Sequence, residues 1–315
     1  MVLVEPAAAR WPDVAAGRGH YESFYLRAVD PRGGRGVWIR YTVSVAPGGR
    51  PEGQLWFTLY DRGSSAPRAL RVEAGPATTA DAWIRLGDSV FGPAAIDGHA
   101  GDASWSLHCR DGQPLLEHLP RHWMYRARLP RTKLLSLSPA ALFDGTVSVD
   151  GETITLDGWP GMVGHNWGEQ HAEEWLWLHG LGFEGAGADT WVDVAVGRVR
   201  IGPMVTPWVA NGAVCLAGER IRVGGLGRRV AVEASADGCS VRMPAGGGSV
   251  TLGITAPSEK FVHWDYADPA PSQPAHPVLN CSVADLTATV ARAGSAPVEL
   301  RATGTAAYEW GRAGS

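Results

Sequence analysis

The densest run of chemically able side chains lies between Gly158 and Gly180. There His165, Asn166, Glu169, His171 and His179 are interleaved with Trp159, Trp167, Trp175 and Trp177. In an extended chain Trp175, Trp177 and His179 share one face, and Leu176 and Leu178 the other. Two indoles and one imidazole suit the wall of an apolar cavity with a hydrogen-bonding tip. His165, Asn166 and Glu169, just before that face, can transfer protons or hold a polar substituent. The competing reading of the cluster is a buried polar network that locks two halves of the chain together.

Three further places are candidates for binding. Trp38 and Arg40 share a strand face with Thr42, and Trp56 shares one with Thr58 and Tyr60. If these faces line a barrel, Arg40 anchors an anionic group with Trp56 as wall; otherwise Arg40 lies on an exposed face. Trp191 and Asp193 share a face downstream, where a cavity would raise the carboxyl's pKa. Other chemistry lacks its motif. Gly185-Ala186-Gly187 has no strand–loop–helix context for a dinucleotide, and no Gly-x-Ser-x-Gly elbow is present. The spacings His165/His171 and His118/His122 are read as structural rather than metal-binding, because Pro120 interrupts any helix that would align the second pair. Cys109, Cys215, Cys239 and Cys281 form no C-x-x-C pair and read as free thiols. Neither cofactor nor metal is expected.

The elements that must position these residues are strands. Apolar residues recur with period 2: Val37, Ile39, Tyr41, Val43 and Val45 alternate with Trp38, Arg40, Thr42 and Ser44. Pro47-Gly48-Gly49 turns the chain, and Gln54 to Asp61 resumes the alternation. Turn signals follow about every 8–12 residues, the rhythm of barrels and sandwiches. Trp123–Leu129 reads as one more strand, Pro139–Phe143 as a single helical turn, and Asp268–Pro277 as a loop over a barrel end. The fold expected is all-β, with two antiparallel halves at 15–170 and 171–312.

The chain has 315 residues, 45% of them hydrophobic, with fourteen tryptophans and a net charge of -4. That length and composition support two cored domains. The slight acidity argues against a nucleic-acid or generic anionic-membrane binder, although local basic patches remain open. No window approaches 18 apolar residues, so no integral membrane segment is expected. The first 18 residues lack the pattern of a signal peptide, so a cytoplasmic location is expected.

Gly164-His165-Asn166-Trp167-Gly168, followed by Trp175-Leu176-Trp177, resembles the signature of the carotenoid 1,2-hydratase (hydroxyneurosporene synthase) and AttH-like superfamily. Glu22 to Arg27 and Trp38-Ile39-Arg40-Tyr41 are similar to its first strands. The resemblance implies two tandem lipocalin-like antiparallel β-barrels and cofactor-free acid–base or shape-based catalysis. The hydratase motif runs Tyr-x-Asp-His-x-x-Gly, and here Met162 and Gly164 replace its Tyr and Asp. A glycine cannot deliver a proton, so an acid would come from Glu169, His171 or Glu22. The function expected is therefore an isomerase, cyclase or hydro-lyase acting on a large apolar molecule such as an isoprenoid or other specialised metabolite. His165, Glu169 and His171 would be catalytic; Asn166, Trp167, Trp175, Trp177, His179, Trp38, Arg40, Trp56, Trp191 and Asp193 would bind substrate. A non-catalytic carrier of a hydrophobic ligand is the alternative.

Overall fold

The computed structural model describes residues 7–15, 17–270 and 275–314. The first half forms β1 (His20–Val29), β2 (Arg35–Val45), β3 (Pro51–Asp61), β4 (Arg68–Thr78), β5 (Ile84–Leu86), β6 (Ser89–Phe91), β7 (Ile96–Ala100), β8 (Ala103–Arg110), β9 (Leu116–Glu117), β10 (Thr132–Val149) and β11 (Glu152–Gly168). The second forms β12 (Glu174–Gly180), β13 (Trp191–Arg198), β14 (Arg200–Ile201), β15 (Met204–Val205), β16 (Val209–Leu216), β17 (Glu219–Gly224), β18 (Ala231–Ser235), β19 (Gly238–Ala245), β20 (Gly248–Thr255), β21 (Val262–Tyr266), β22 (His276–Arg292) and β23 (Val298–Arg312).

Both sheets close on themselves, which removes edges that would otherwise pair with other chains. Pairing of β10 with β11 seals the first barrel through β11-β1-β2-β3-β4-β5-β6-β7-β8-β10. A β17–β19 contact seals the second through β17-β16-β13-β12-β23-β22-β20-β19. The expected pair of lipocalin-like antiparallel barrels is thus the observed fold. The chain passes from one barrel to the other between Gly168 and Glu174. No helix among the described residues is long and apolar enough to cross a membrane.

Two local expectations are corrected. Pro139–Phe143 is not a helical turn but part of β10, where the register with β11 shifts between Ser136 and Ala141. A bulge lets a proline sit in a strand without breaking the ladder. Trp123–Leu129 is not a strand; His122–Tyr125 form a short 3-10 turn within a loop.

The interiors follow the alternation. Phe24, Leu26, Val37, Ile39, Tyr41 and Phe57 fill the first barrel, and Leu176, Leu178, Val192, Val194, Leu252 and Ile254 the second. The opposite faces of β1, β2 and β3 are buried as well, because the second barrel packs on them. Trp38, Trp56 and Tyr60 consequently join the second barrel's core cluster rather than line the first. Arg27 bridges the barrels. It is fully buried, and its guanidinium donates to the Ser282 and Thr305 carbonyls at 3.0 and 2.9 Å and to His179 Nδ1 at 2.7 Å. Burial pushes its pKa down to about 9, which leaves it charged at neutral pH.

Candidate active site

The facing walls of the barrels leave a cavity of about 180 Å³. Its apolar lining includes Trp38 from β2, Trp175 and Trp177 from β12, and Val209 from β16. Tyr21 and Tyr25 from β1, Arg40 from β2, Asn166 from β11 and Glu309 from β23 add polar groups, and His171 reaches in from the β11–β12 connection. Period 2 explains the selection: on each strand these are residues that point away from their own barrel.

His171 is the most organised of them. Its backbone N–H and its Nδ1–H both donate to Asp268 Oδ1, at 2.8 and 2.7 Å. The other carboxylate oxygen accepts from His276 Nε2 at 3.0 Å. Tyr21 stacks on the His171 ring with centroids 4.1 Å apart and planes 8° from parallel. Nε2 is buried with no partner among the described residues. Burial pushes the imidazole pKa down to about 4, against the upward pull of Asp268. Burial would raise the Asp268 carboxyl, but the donors from His171 and His276 hold it well below the usual range. At neutral pH His171 therefore carries its proton on Nδ1 and a lone pair on Nε2, the form of a general base. The ligand-type atoms of His171, Asp268 and His276 lie within 4.8 Å of one another. Both imidazoles aim an N–H at the same carboxylate, so the arrangement is one of hydrogen bonding.

Arg40 lies beyond. It is 5% exposed and makes no ion pair among the described residues, and its Nε has no partner there. Its guanidinium carbon sits 4.2 Å from the Tyr266 ring centroid and 5.6 Å from that of Trp56. Neither sequence reading of this arginine holds: it faces neither the first barrel's interior nor solvent, but the cavity between barrels. The cavity's own carboxylate does not pair with it. Glu309 accepts from Trp175 Nε1 at 2.9 Å and from Tyr266 Oη and Asn280 Nδ2 at 3.0 Å.

Tyr25 supplies a donor. Burial, reinforced by the Asp193 and Glu309 charges, holds its phenol well above the ordinary value, so it stays protonated. Its ring meets Trp177 edge-on at 5.9 Å and lies across Gly164, its cross-strand partner. A Cβ at Gly164 would fall well inside 3.0 Å of the Tyr25 ring and hydroxyl.

The other expected site residues are dispersed. His165 points into the first barrel, between Phe24 and Trp167, and bonds Glu22 Oε1 at 2.7 Å. Glu22 also accepts from His20 at 3.1 Å and from the Trp11 amide at 2.9 Å, which ties the N-terminal 3-10 turn to the barrel mouth. Burial would raise the Glu22 carboxyl, but the two imidazoles bring it down to about 2. Trp167 flanks the same group. Glu169 lines a different recess, where it pairs with Arg18. His179 receives Arg27 on Nδ1 and donates from Nε2 to the Pro139 carbonyl at 2.8 Å. Asp193 accepts from Ser136 Oγ at 2.5 Å and Trp177 Nε1 at 3.0 Å, beside His118. Its pKa is lowered rather than raised as the sequence suggested: burial pushes it up, and His118, His179 and the Ser136 hydroxyl outweigh that. Trp191 lies under Arg220, outside the cavity lining. Trp56 backs Arg40. Sequence reading assigned no role to Tyr21, Tyr25, Asp268 or Glu309. A partial signal existed for the tyrosines: in Tyr21 to Val29 both faces carry large apolar or aromatic side chains, Phe24 and Leu26 on one and Tyr21, Tyr25 and Val29 on the other, beside Glu22, Ser23 and Arg27, as in a strand covered on two sides.

The buried imidazoles set a pH response. His171 and His179 are both pushed down to about 4, chiefly by burial, against about 6.5 when unfolded. Below pH 6.5 the unfolded chain takes up protons that the folded chain refuses, so stability falls as pH drops from about 6.5 to 4. Glu22 adds a contribution that is present above about pH 4.3 and lost toward pH 2. The urea midpoint is expected to decline steadily below pH 6.5, and His179→Gln to flatten part of that slope.

No family model matches the chain. Two uncharacterized proteins of Mycobacterium tuberculosis, Rv0493c (strain H37Rv) and MT0513 (strain CDC 1551 / Oshkosh), are 27% identical over 179 residues, 55% of this chain and 52% of each relative. The chain thus spans about half the length of the curated relatives it matches. Two solved structures share the fold. Kievitone hydratase from Nectria haematococca aligns at a TM-score of 0.56 with 10% identity, covering 95% of this chain and 90% of that one. An AttH-like protein (NE1406) from Nitrosomonas europaea aligns at 0.53 with 15% identity, covering 98% of both chains. The architecture is therefore the tandem-barrel fold of the AttH-like and hydratase proteins that the Gly164–Gly168 signature resembles.

Proposed function

We propose that the protein is a cofactor-independent enzyme of the hydro-lyase or isomerase kind. Its substrate would be a mostly apolar small molecule, an isoprenoid or other specialised metabolite, carrying a conjugated carbonyl or phenol. The observation that carries the reading is the bare Nε2 of His171, held by Asp268 at a cavity that also holds an unpaired arginine and a protonated tyrosine. His171 takes a proton from water as its oxygen bonds to the β-carbon of the conjugated system. The π electrons move to the carbonyl oxygen, where Arg40 stabilises the developing charge. Tyr25 protonates the α-carbon, and the imidazolium proton returns to its phenolate through water. The reverse sequence eliminates water; α-proton removal and return alone would isomerise. The indoles exclude solvent and orient the apolar body.

The rival is a carrier, which needs no titratable side chain at its cavity. Three such groups at this wall favour the enzyme. The test is to incubate the protein in D2O with chalcone, 4-hydroxychalcone and their β-hydroxy ketone hydrates. Protein-dependent deuterium at the α-carbon, or a water adduct, is expected by NMR. Binding without exchange, read by quenching of indole fluorescence, would leave the carrier and remove the enzyme. Arg40→Met is expected to weaken binding of 4-hydroxychalcone as its phenolate by about 10–100-fold, the value of about 1.5–3 kcal/mol for a hydrogen bond to a charged group. Its effect on unsubstituted chalcone should be much smaller.

A further inference from the structure

Two short runs of the chain hold four arginines without a carboxylate, 118–131 and 220–232, and the first, the loop that follows β9, also carries an exposed tryptophan. From His118 to Arg131 it carries four arginines, at 121, 126, 128 and 131, and no carboxylate, in a chain of net charge -4. Trp123 and Leu129 are 62% and 47% exposed on this loop, among the few large apolar side chains left in solvent. Arg121, Arg126 and Arg128 make no ion pair among the described residues.

Behind the loop is a recess of about 450 Å³, separate from the candidate active site. Arg126, Arg128, Arg131 and Lys133 line it. Lys133 is 6% exposed, and its ammonium donates to the Pro130 carbonyl with no carboxylate in ion-pair range among the described residues. Burial alone pushes its pKa down to about 8. The acids on the recess wall are spoken for in part: Glu169 by Arg18, and Glu117 by His122 at 2.7 Å. An arginine-flanked indole and leucine beside a cationic recess match an interfacial membrane contact, in which apolar tips enter the bilayer boundary and cations meet anionic headgroups. The same loop supplies Leu119 and Pro130 to the wall of the inter-barrel cavity.

We propose that the 118–131 loop and the recess behind it dock the protein on an anionic lipid surface, with phospholipid headgroups at the arginines and Trp123 and Leu129 in the interface. The overall acidity excludes only binding driven by net charge; this patch is local. Docking there would place the cavity next to the phase in which an apolar ligand concentrates. The inference stands on the loop alone and does not depend on the proposed activity.

The test is co-sedimentation of the full chain with vesicles of phosphatidylcholine, and of phosphatidylcholine with one-third phosphatidylglycerol. Pelleting with the anionic vesicles is expected, and it should be lost in high salt. Arg126→Gln with Arg128→Gln should weaken it roughly fivefold per arginine, and Trp123→Ser with Leu129→Ser at least tenfold. All four residues are exposed or at the loop surface, so melting temperatures should not move, which separates lost docking from lost folding. Equal pelleting with neutral vesicles, no pelleting of the unaltered protein, or indifference to both double substitutions would each overturn the proposal. Competition by millimolar glycerol phosphate without any vesicle binding would assign the recess to a soluble anion instead, and overturn it too.

Discussion

Replacing His171 with alanine is expected to lower turnover by about 10²–10⁴, the usual worth of a positioned general base, while ligand affinity changes by less than threefold. The reason is geometric. The imidazole is fixed on three sides: by the Asp268 carboxylate, by the backbone donor to the same oxygen, and by the Tyr21 ring. Its remaining nitrogen is buried without a partner among the described residues, on a residue that lines the cavity. Asp268→Asn should cost nearly as much turnover, for a different cause. An asparagine that keeps its oxygen toward His171 still accepts from the amide and from Nδ1–H, but it has no negative charge to stabilise the imidazolium that forms when Nε2 takes a proton. The asparagine still occupies the same volume and can hold the His171 amide, so the melting temperature should drop far less than activity. His276→Gln is the control: it touches Asp268 but not the cavity, and should mainly lower stability. A kcat unchanged in His171→Ala would remove the assignment. The same loss of activity in His165→Ala would require folding to be checked first, because that residue serves the first barrel's interior.

Much of this was legible from alternation. The strands and the all-β class follow from period 2 and turn residues, the closed barrels are what the resemblance at Gly164–Gly168 implied, and Trp175 and Trp177 line the cavity between the barrels. What alternation does not say is which of two buried faces is inside. On β2, Val37, Ile39 and Tyr41 fill the barrel and Trp38 and Arg40 face the partner barrel; the pattern reads the same either way. His165 and His171 illustrate the second limit. They stand six residues apart in one motif-like run, yet the chain leaves its strand between them, so one enters a barrel and the other enters the inter-barrel space. Asp268 was beyond reach because its partnership with His171 spans 97 residues through a loop with no motif.

Gly164 is the position where the resemblance to the hydratases breaks, and the structure gives a steric reason for its glycine. The hydroxyl end of the Tyr25 ring lies over it, so a Cβ there would overlap the ring and its hydroxyl. Gly164→Ala is therefore expected to cost about 1–3 kcal/mol, as overpacking of a close-packed site does. In a Tyr25→Ala background the same substitution should cost almost nothing, a coupling of up to about 3 kcal/mol in a double-mutant cycle on urea denaturation. Tyr25→Phe keeps the ring and the packing and removes only the hydroxyl. It should leave the melting temperature in place while turnover falls about 100-fold, as loss of an acid–base group does. Equal costs of Gly164→Ala in both backgrounds would mean that the ring does not depend on the missing Cβ. The coupling matters for the chemistry because tyrosine at 25 and an acid at 164 compete for one space. A strand that carries the acid must give up the ring, and one that carries the ring must have glycine beneath it. Gly164→Asp should thus be tolerated only together with Tyr25→Ala, where the carboxyl enters the space the phenol leaves and meets the same ligand from the neighbouring strand.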